Sequence, residues 1–155
     1  MEIERKFLVR ELPEGLERYP HGEIRQGYLC REPVVRVRRT AESSGEVRCT
    51  LTYKGEGLMA REEYNLPLTE EAFFHLAEKA DGECIRKTRY RIPYGERLIE
   101  LDLFENVFVD SPEPLVMAEV EFPDLSSCEM FQPPEWFGRD VTDDVRYHNS
   151  NMIGV

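Results

Sequence analysis

Two-residue alternation, with charged side chains on one side of the chain and apolar ones on the other, recurs along this sequence and restricts its fold more than any single motif. In the opening stretch Glu2 to Val9, an extended backbone sends Glu2, Glu4, Lys6 and Leu8 one way and Ile3, Arg5, Phe7 and Val9 the other. Arg36 and Arg38 oppose Val35 and Val37, and across the Ser43-Ser44-Gly45 turn Lys54 lies with Arg48, Thr50 and Thr52, opposite Val47, Cys49, Leu51 and Tyr53. Further on, Lys87, Arg89 and Arg91 oppose Arg86, Thr88, Tyr90 and Ile92. Glu100 and Asp102 oppose Ile99, Leu101 and Leu103, and Met117, Glu119 and Glu121 oppose Val116, Ala118, Val120 and Phe122. A period of two repeated this often predicts antiparallel sheet rather than a helical bundle.

The segments between add two more strands and few helices. Glu11 to Gly22 carries two prolines and two glycines and reads as a loop with a short helical turn near Leu16. Glu23 to Cys30 is extended, with Ile24, Gln26 and Tyr28 on one side, and Leu58 to Leu68 is a strand with Arg61, Glu63 and Asn65 together. Thr69 followed by Glu70 and Glu71 is an N-cap with acids in the first turn, and Ala72, Phe73, Leu76, Ala77 and Ala80 keep helical spacing up to Gly82. Asp124 to Met130 is a second, short helix. Trp136 and Phe137, beyond Pro133-Pro134, read as an anchor packing the tail against the body, and Thr142-Asp143-Asp144 caps a last turn. The expectation is one α+β domain over residues 1–155, with about eight strands.

Composition excludes several classes. A net charge of −11 disfavours a nucleic-acid or anionic-membrane surface. Cys30, Cys49, Cys84 and Cys128 are scattered without a Cys-x-x-Cys pair, which fits reduced thiols rather than zinc or disulfides. No apolar run is long enough to span a bilayer, and the opening residues are charged where a signal peptide needs an apolar core. Cytoplasmic location is the expectation, with no nucleic-acid or membrane partner; oligomeric state is not legible. His21, His75 and His148 show no ligand or triad spacing.

The charged faces pose the functional question, because small barrels ordinarily fill their interior with apolar side chains. If these faces converge, the Glu-x-Glu pairs Glu2/Glu4 and Glu119/Glu121 offer hard oxygen ligands for Mg²⁺ or Mn²⁺. The cations Lys6, Arg36, Arg38, Lys54, Lys87 and Arg89 then suit a polyphosphate, arginine forks gripping phosphate oxygens and lysines acting as point charges. Metal with a cationic clamp is the recurring arrangement for phosphoryl transfer. There is no P-loop; Gly55-Glu56-Gly57 is a turn.

These residues resemble a known family. Glu2-x-Glu4-x-Lys6 followed by Phe7-Leu8-Val9 is similar to the signature of the CYTH superfamily, the triphosphate tunnel metalloenzymes, in its small bacterial branch. Nearly the whole chain supports the likeness: Arg25-Gln26-Gly27-Tyr28-Leu29, Val35-Arg36-Val37-Arg38, Thr52-Tyr53-Lys54-Gly55, Lys87-Thr88-Arg89-Tyr90, Glu100-Leu101-Asp102, Ala118-Glu119-Val120-Glu121, and the tail from Asp140 to Asn149. The resemblance implies an eight-stranded antiparallel β-barrel forming a tunnel with a charged interior, helices packed outside. It implies metal at Glu2, Glu4, Glu119 and Glu121, and triphosphate at Lys6, Arg36, Arg38, Lys54, Lys87 and Arg89, with Arg146 added from the tail. Lys54 and Tyr28 match a catalytic pair of thiamine-triphosphatase relatives, and Glu63, Glu100 and Asp102 would orient a second metal or the attacking water. One acid is missing: relatives usually carry a second acid two residues from Glu63, where this chain has Arg61 and Asn65.

The expectation is a metal-dependent triphosphatase acting on inorganic tripolyphosphate, since no base-reading pocket is legible. The alternatives are a nucleoside or thiamine triphosphatase, a class IV adenylate cyclase, and a protein that binds polyphosphate or nucleotide without turnover.

Overall fold

The structure is a computed structural model that describes residues 2–57 and 59–152. Its strands are β1 (Glu2–Val9), β2 (His21–Cys30), β3 (Val34–Glu42), β4 (Val47–Lys54), β5 (Ala60–Arg61), β6 (Glu63–Leu68), β7 (Ile85–Tyr94), β8 (Arg97–Phe104), β9 (Val116–Phe122) and β10 (Phe137–Asp140). Two helices, α1 (Glu70–Ala77) and α2 (Leu125–Met130), and three 3₁₀ turns complete it; one turn is Leu16–Arg18 in the first loop, the others Val145–Tyr147 and Asn149–Asn151 in the tail. Among the described residues no helix is long and apolar enough to cross a membrane.

All pairings are antiparallel, in the order β10-β1-β9-β8-β7-β2-β3-β4-β6, with β5 also on β1. This corrects the expected eight-stranded closed barrel: among the described residues the sheet has ten strands, and its hydrogen-bonded path does not close. The run from Leu58 to Leu68, expected as one strand, is two. Leu58 lies outside the described residues, and the remainder breaks at Glu62. On one side of the break Arg61 pairs with Glu2 of β1; on the other Glu63 pairs with Lys54 of β4. A single stretch of chain thus touches both ends of the sheet without forming a continuous ladder between them. The tenth strand, β10, occupies the part of the same β1 edge that β5 leaves free, with Phe7 opposite Asp140.

The apolar sides of the strands form the core. Ile3 and Phe7 of β1 pack with Ile99, Leu101, Val120 and Phe122, closed over by Cys128 of α2 and by Phe137, whose ring centroid is 4.8 Å from that of Phe7. The tail anchor expected at Trp136-Phe137 is in place. On the other flank Phe73 of α1, fully buried, seats on Val37 and Cys49. Thr69 caps α1 as expected, its hydroxyl accepting from the Ala72 amide at 3.1 Å. The helix stops at Ala77, short of Gly82, and the chain tightens into turns that bring Ala80 against β2. A Cβ at Gly27 would lie 2.7 Å from that of Ala80, so only glycine lets the end of α1 approach β2 this closely. With both helices on the apolar side, the charged sides are left to face one another.

Candidate active site

A cavity of about 320 Å³ lies on the charged side, and every strand except β10 contributes to its wall. The ladders determine which charges meet there. Lys6 stands opposite Glu119 and Glu4 opposite Glu121; Glu100 faces Glu119 and Arg89 faces Asp102; Lys54 faces Glu63 and Arg36 faces Thr52. Six carboxylates (Glu2, Glu4, Glu63, Glu100, Glu119, Glu121) and six cations (Lys6, Arg36, Arg38, Lys54, Arg61, Arg89) line the cavity. The bland alternative, a solvated strand face, does not apply: Glu2, Glu4, Lys6, Arg36, Lys54, Arg89 and Glu119 are all buried.

One group of charges is paired off. Lys6 Nζ donates to Glu119 Oε1 at 3.0 Å and lies 3.5 Å from Glu4, and Lys54 Nζ donates to Glu2 Oε1 at 2.8 Å. Asp102, with no exposed surface, accepts from Lys87 Nζ at 2.8 Å and from both Nε and Nη2 of Arg89, at 2.7 and 2.8 Å. Burial alone would raise the Asp102 carboxyl; Arg89 and Lys87 outweigh it and hold the group below its ordinary range. A bidentate fork and an ammonium on one carboxylate satisfy both oxygens, the condition under which buried charges are tolerated.

A second group is not paired. Among the described residues Arg36 and Arg38 make no ion pair, and Arg36 Nε is buried without any partner. Burial, with Arg36 and Arg89 alongside, drives the Arg38 guanidinium down to about 9. At the acidic end the imbalance is reversed. Burial pushes the Glu2 carboxyl up, countered by Lys54 and reinforced by a hydrogen bond with Glu63. The solvent-exposed Glu121 is pushed up to about 7 by partial burial and by Glu2, Glu63, Glu4 and Glu100. The cavity therefore has one region short of anions and another short of cations.

The likeness of this chain to known proteins is extensive. No protein-family model matches it. It is 39% identical to the inorganic triphosphatase of Nitrosomonas europaea, covering 97% of this chain and 95% of that protein. It is 36% identical to the inorganic triphosphatase of Acetivibrio thermocellus, over 98% and 92%. The chain belongs to the CYTH superfamily of triphosphate tunnel metalloenzymes. The crystal structure of the inorganic triphosphatase NE1496, 35% identical, superposes with a TM-score of 0.65 over 97% of this chain and 93% of that one. The structure of an adenylyl cyclase-like protein from Hippeastrum with a dominant triphosphatase activity has a TM-score of 0.56 at 15% identity, with 83% of each chain covered, and shows likeness of fold alone.

CYTH membership implies a divalent metal, and the residues present can be tested against it. Among the described residues no three carboxylate, imidazole or thiolate groups stand close enough together to hold one ion. Glu2 and Glu119 are engaged by Lys54 and Lys6. The donor chemistry nevertheless fits a hard cation, since Glu121 and its acidic neighbours are oxygen ligands whose mutual repulsion a divalent ion would relieve.

Of the residues expected from the CYTH motifs, Glu2, Glu4, Lys6, Tyr28, Arg36, Arg38, Lys54, Glu63, Arg89, Glu100, Glu119 and Glu121 line the cavity. Three do not. Lys87 and Asp102 lie beneath its wall as a buried ion pair, so Asp102 holds Arg89 and Lys87 where an orienter of metal or water was expected. Arg146 is exposed at the surface, its Nη2 donating to Asp144 at 2.9 Å and its Nη1 to Asp110. The local turn at Val145–Tyr147, capped by Asp144, turns Arg146 away. At the position of the missing acid, Asn65 accepts from Thr52 at 2.6 Å and donates to Glu63 at 3.4 Å. Arg61, Asn149 and Ser150 also line the cavity and had not been singled out. Arg61 has the same parity as Glu63, but its placement depends on the break at Glu62, which alternation does not register.

The tail motif acts on β1. Val141 N–H donates to Lys6 O at 2.8 Å, and Lys6 N–H donates to Thr142 Oγ1 at 3.0 Å. His148 Nε2 then bonds Thr142 O at 2.9 Å, which brings Asn149 to the cavity. Thr142→Val keeps the shape of the side chain and removes the acceptor of a buried N–H. A loss of about 1–3 kcal/mol in urea denaturation is expected, with weaker substrate binding as Lys6 loosens.

Proposed function

We propose that the protein is a metal-dependent triphosphatase that hydrolyses inorganic tripolyphosphate. The observation that carries this reading is that Arg36 and Arg38, among the described residues, have no ion-pair partner in the cavity, in contrast to Lys6, Lys54 and Arg89. Two guanidinium groups held close together without carboxylates call for a polyanion, and phosphate oxygens take their forks two at a time. The relatives in Nitrosomonas europaea and Acetivibrio thermocellus, named inorganic triphosphatases, point to the same substrate.

In this reading Arg36 and Arg38 grip the middle of the chain of phosphates, and Lys6, Lys54 and Arg89 neutralise its ends. Lys54 and Tyr28 face the phosphoryl group that is attacked. Glu63, held ionised by Glu2, Lys54 and Asn65 against the effect of burial, orients the water with Glu100. Water oxygen bonds to the terminal phosphorus and gives up a proton, the anhydride P–O bond breaks with its electron pair passing to the bridging oxygen, and phosphate and pyrophosphate leave, the released proton being shared between them and solvent. Glu2, Glu4, Glu119 and Glu121 would hold Mg²⁺ or Mn²⁺, which supplies further neutralisation of phosphate charge.

A second reading, an organic triphosphate as substrate, is favoured by one observation. A larger cavity of about 920 Å³ adjoins the first, shares Arg61 and Ser150 with it, and includes Pro33, Val34, Tyr53 and Val145. Incubation with tripolyphosphate, ATP or thiamine triphosphate and either metal separates the readings. Phosphate and pyrophosphate from tripolyphosphate, abolished by chelation, are expected. Faster turnover of ATP or thiamine triphosphate supports the second reading, cyclic AMP without phosphate a cyclase, and binding without turnover a sensor. Glu121→Gln is expected to abolish metal-dependent turnover with an unchanged circular dichroism spectrum; full activity would remove the metal assignment.

A further inference from the structure

Gln26 is fully buried on the charged side of β2, and nothing in the proposed chemistry uses it. It stands opposite Arg38 in the β2–β3 ladder, and its Oε1 accepts from Arg38 Nε at 2.8 Å. Because Nε–H can only donate, the amide oxygen must face it, and this orients the other end: Gln26 Nε2 is buried without an acceptor among the described residues. An orphaned amide donor costs free energy that a side chain with a single acceptor would avoid.

A carboxylate could hold Arg38 equally well, and the same face uses one two strands away. Arg89 Nε is held by Asp102, and that contact cancels charge as it orients. Gln26 offers the same Nε contact with no charge. Among the described residues no carboxylate pairs with Arg38, which stands beside Arg36 and Arg89, and its Nη groups make no hydrogen bond.

We infer that Gln26 is a positioning residue that fixes the Arg38 guanidinium toward the cavity through an uncharged acceptor, leaving its charge for a polyphosphate. The ligand class rests on the triphosphatase reading. Substitution tests orientation and neutrality separately. Gln26→Glu retains the acceptor and adds charge, whereas Gln26→Met retains volume and removes the acceptor.

Tripolyphosphate affinity is measured by calorimetry without metal, KM and kcat with metal, and thermal midpoints for folding. Gln26→Glu is expected to bind about tenfold more weakly, the equivalent of one charge-assisted hydrogen bond. KM should rise in step, kcat should change less, and the thermal midpoint should not fall. Gln26→Met should lose about threefold, less than the acidic variant, because charge is retained while geometry is loosened. Wild-type affinity in Gln26→Met overturns the inference whatever Gln26→Glu does, and so does a greater loss in Gln26→Met than in Gln26→Glu. If wild-type protein binds tripolyphosphate without hydrolysing it, the triphosphatase reading fails and the affinity ratios still decide the role of Gln26.

Discussion

Asp102→Asn is expected to lower the stability of the fold by roughly 3–5 kcal/mol, the usual cost of removing one partner from a buried ion pair. Asp102 and the Lys87 side chain have no exposed surface, and Arg89 is nearly as enclosed. Asparagine occupies the same volume, so the loss reports charge and not packing: Lys87 is left with no carboxylate and Arg89 with the longer contacts to Glu100 and Glu119, at 3.2 and 3.5 Å. In a chain of this length the thermal midpoint should fall by about 10 °C. Lys87→Met in the same chain should recover part of the loss by removing the stranded ammonium. The pH dependence has a definite sign. Asp102 titrates lower folded than unfolded, so its stabilisation is complete above the unfolded value of about 3.9 and is lost as pH falls through the lower folded value. The asparagine variant should lack this part of the acid limb. A loss below about 1 kcal/mol, the range of exposed pairs, would show that the pair is hydrated.

Arg36→Ala should behave in the opposite way. Its guanidinium has no ion-pair partner among the described residues, its Nε is orphaned, and Arg38 repels it. Removal is expected to leave the thermal midpoint unchanged or higher. The same change should raise KM for tripolyphosphate about 10–100-fold, from the loss of charge-assisted contacts worth roughly 1.5–3 kcal/mol to phosphate. Steady-state kinetics and thermal melts on one preparation check both halves. A destabilised variant with ordinary KM would make Arg36 a structural residue and remove the main support for a polyanion.

The alternation carried most of the architecture because it is a local consequence of the extended backbone. The alternating residues expected in β4, β7 and β8 all fall within those strands, and Glu2, Glu4 and Lys6 share the face that their parity assigns. Information that depends on depth was not local. Parity places Asp102 with Glu100, yet Glu100 reaches the cavity while Asp102 sits beneath it, engaged by two cations. Arg146 belongs to a motif but to no strand, so parity says nothing about it and the turn turns it outward. Gln26 was visible only as a neighbour of Tyr28; its contact with Arg38 depends on the register of β2 on β3, set by the hairpin as a whole. The break at Glu62 had no signal, because neither glycine nor proline marks it.

The edge of β1 shared between β5 and β10 also bears on the order in which the molecule forms. β1 pairs with residues 117–122 on one side and with Phe137 and Asp140 on the other, and even the short β5 contact comes from as far along the chain as residues 60 and 61. The ladders β2-β3-β4-β6 and β7-β8-β9 are built from strands close in sequence and can assemble early, while the β1–β9 and β1–β10 ladders wait for loop closures of more than a hundred residues. Of the ten strands the one with the Glu-x-Glu-x-Lys motif is made before the others and completes its pairing only once β9 and β10 have formed. Until then it is an unpaired edge exposed to association with other chains, and its alternating charges are suited to discourage that encounter.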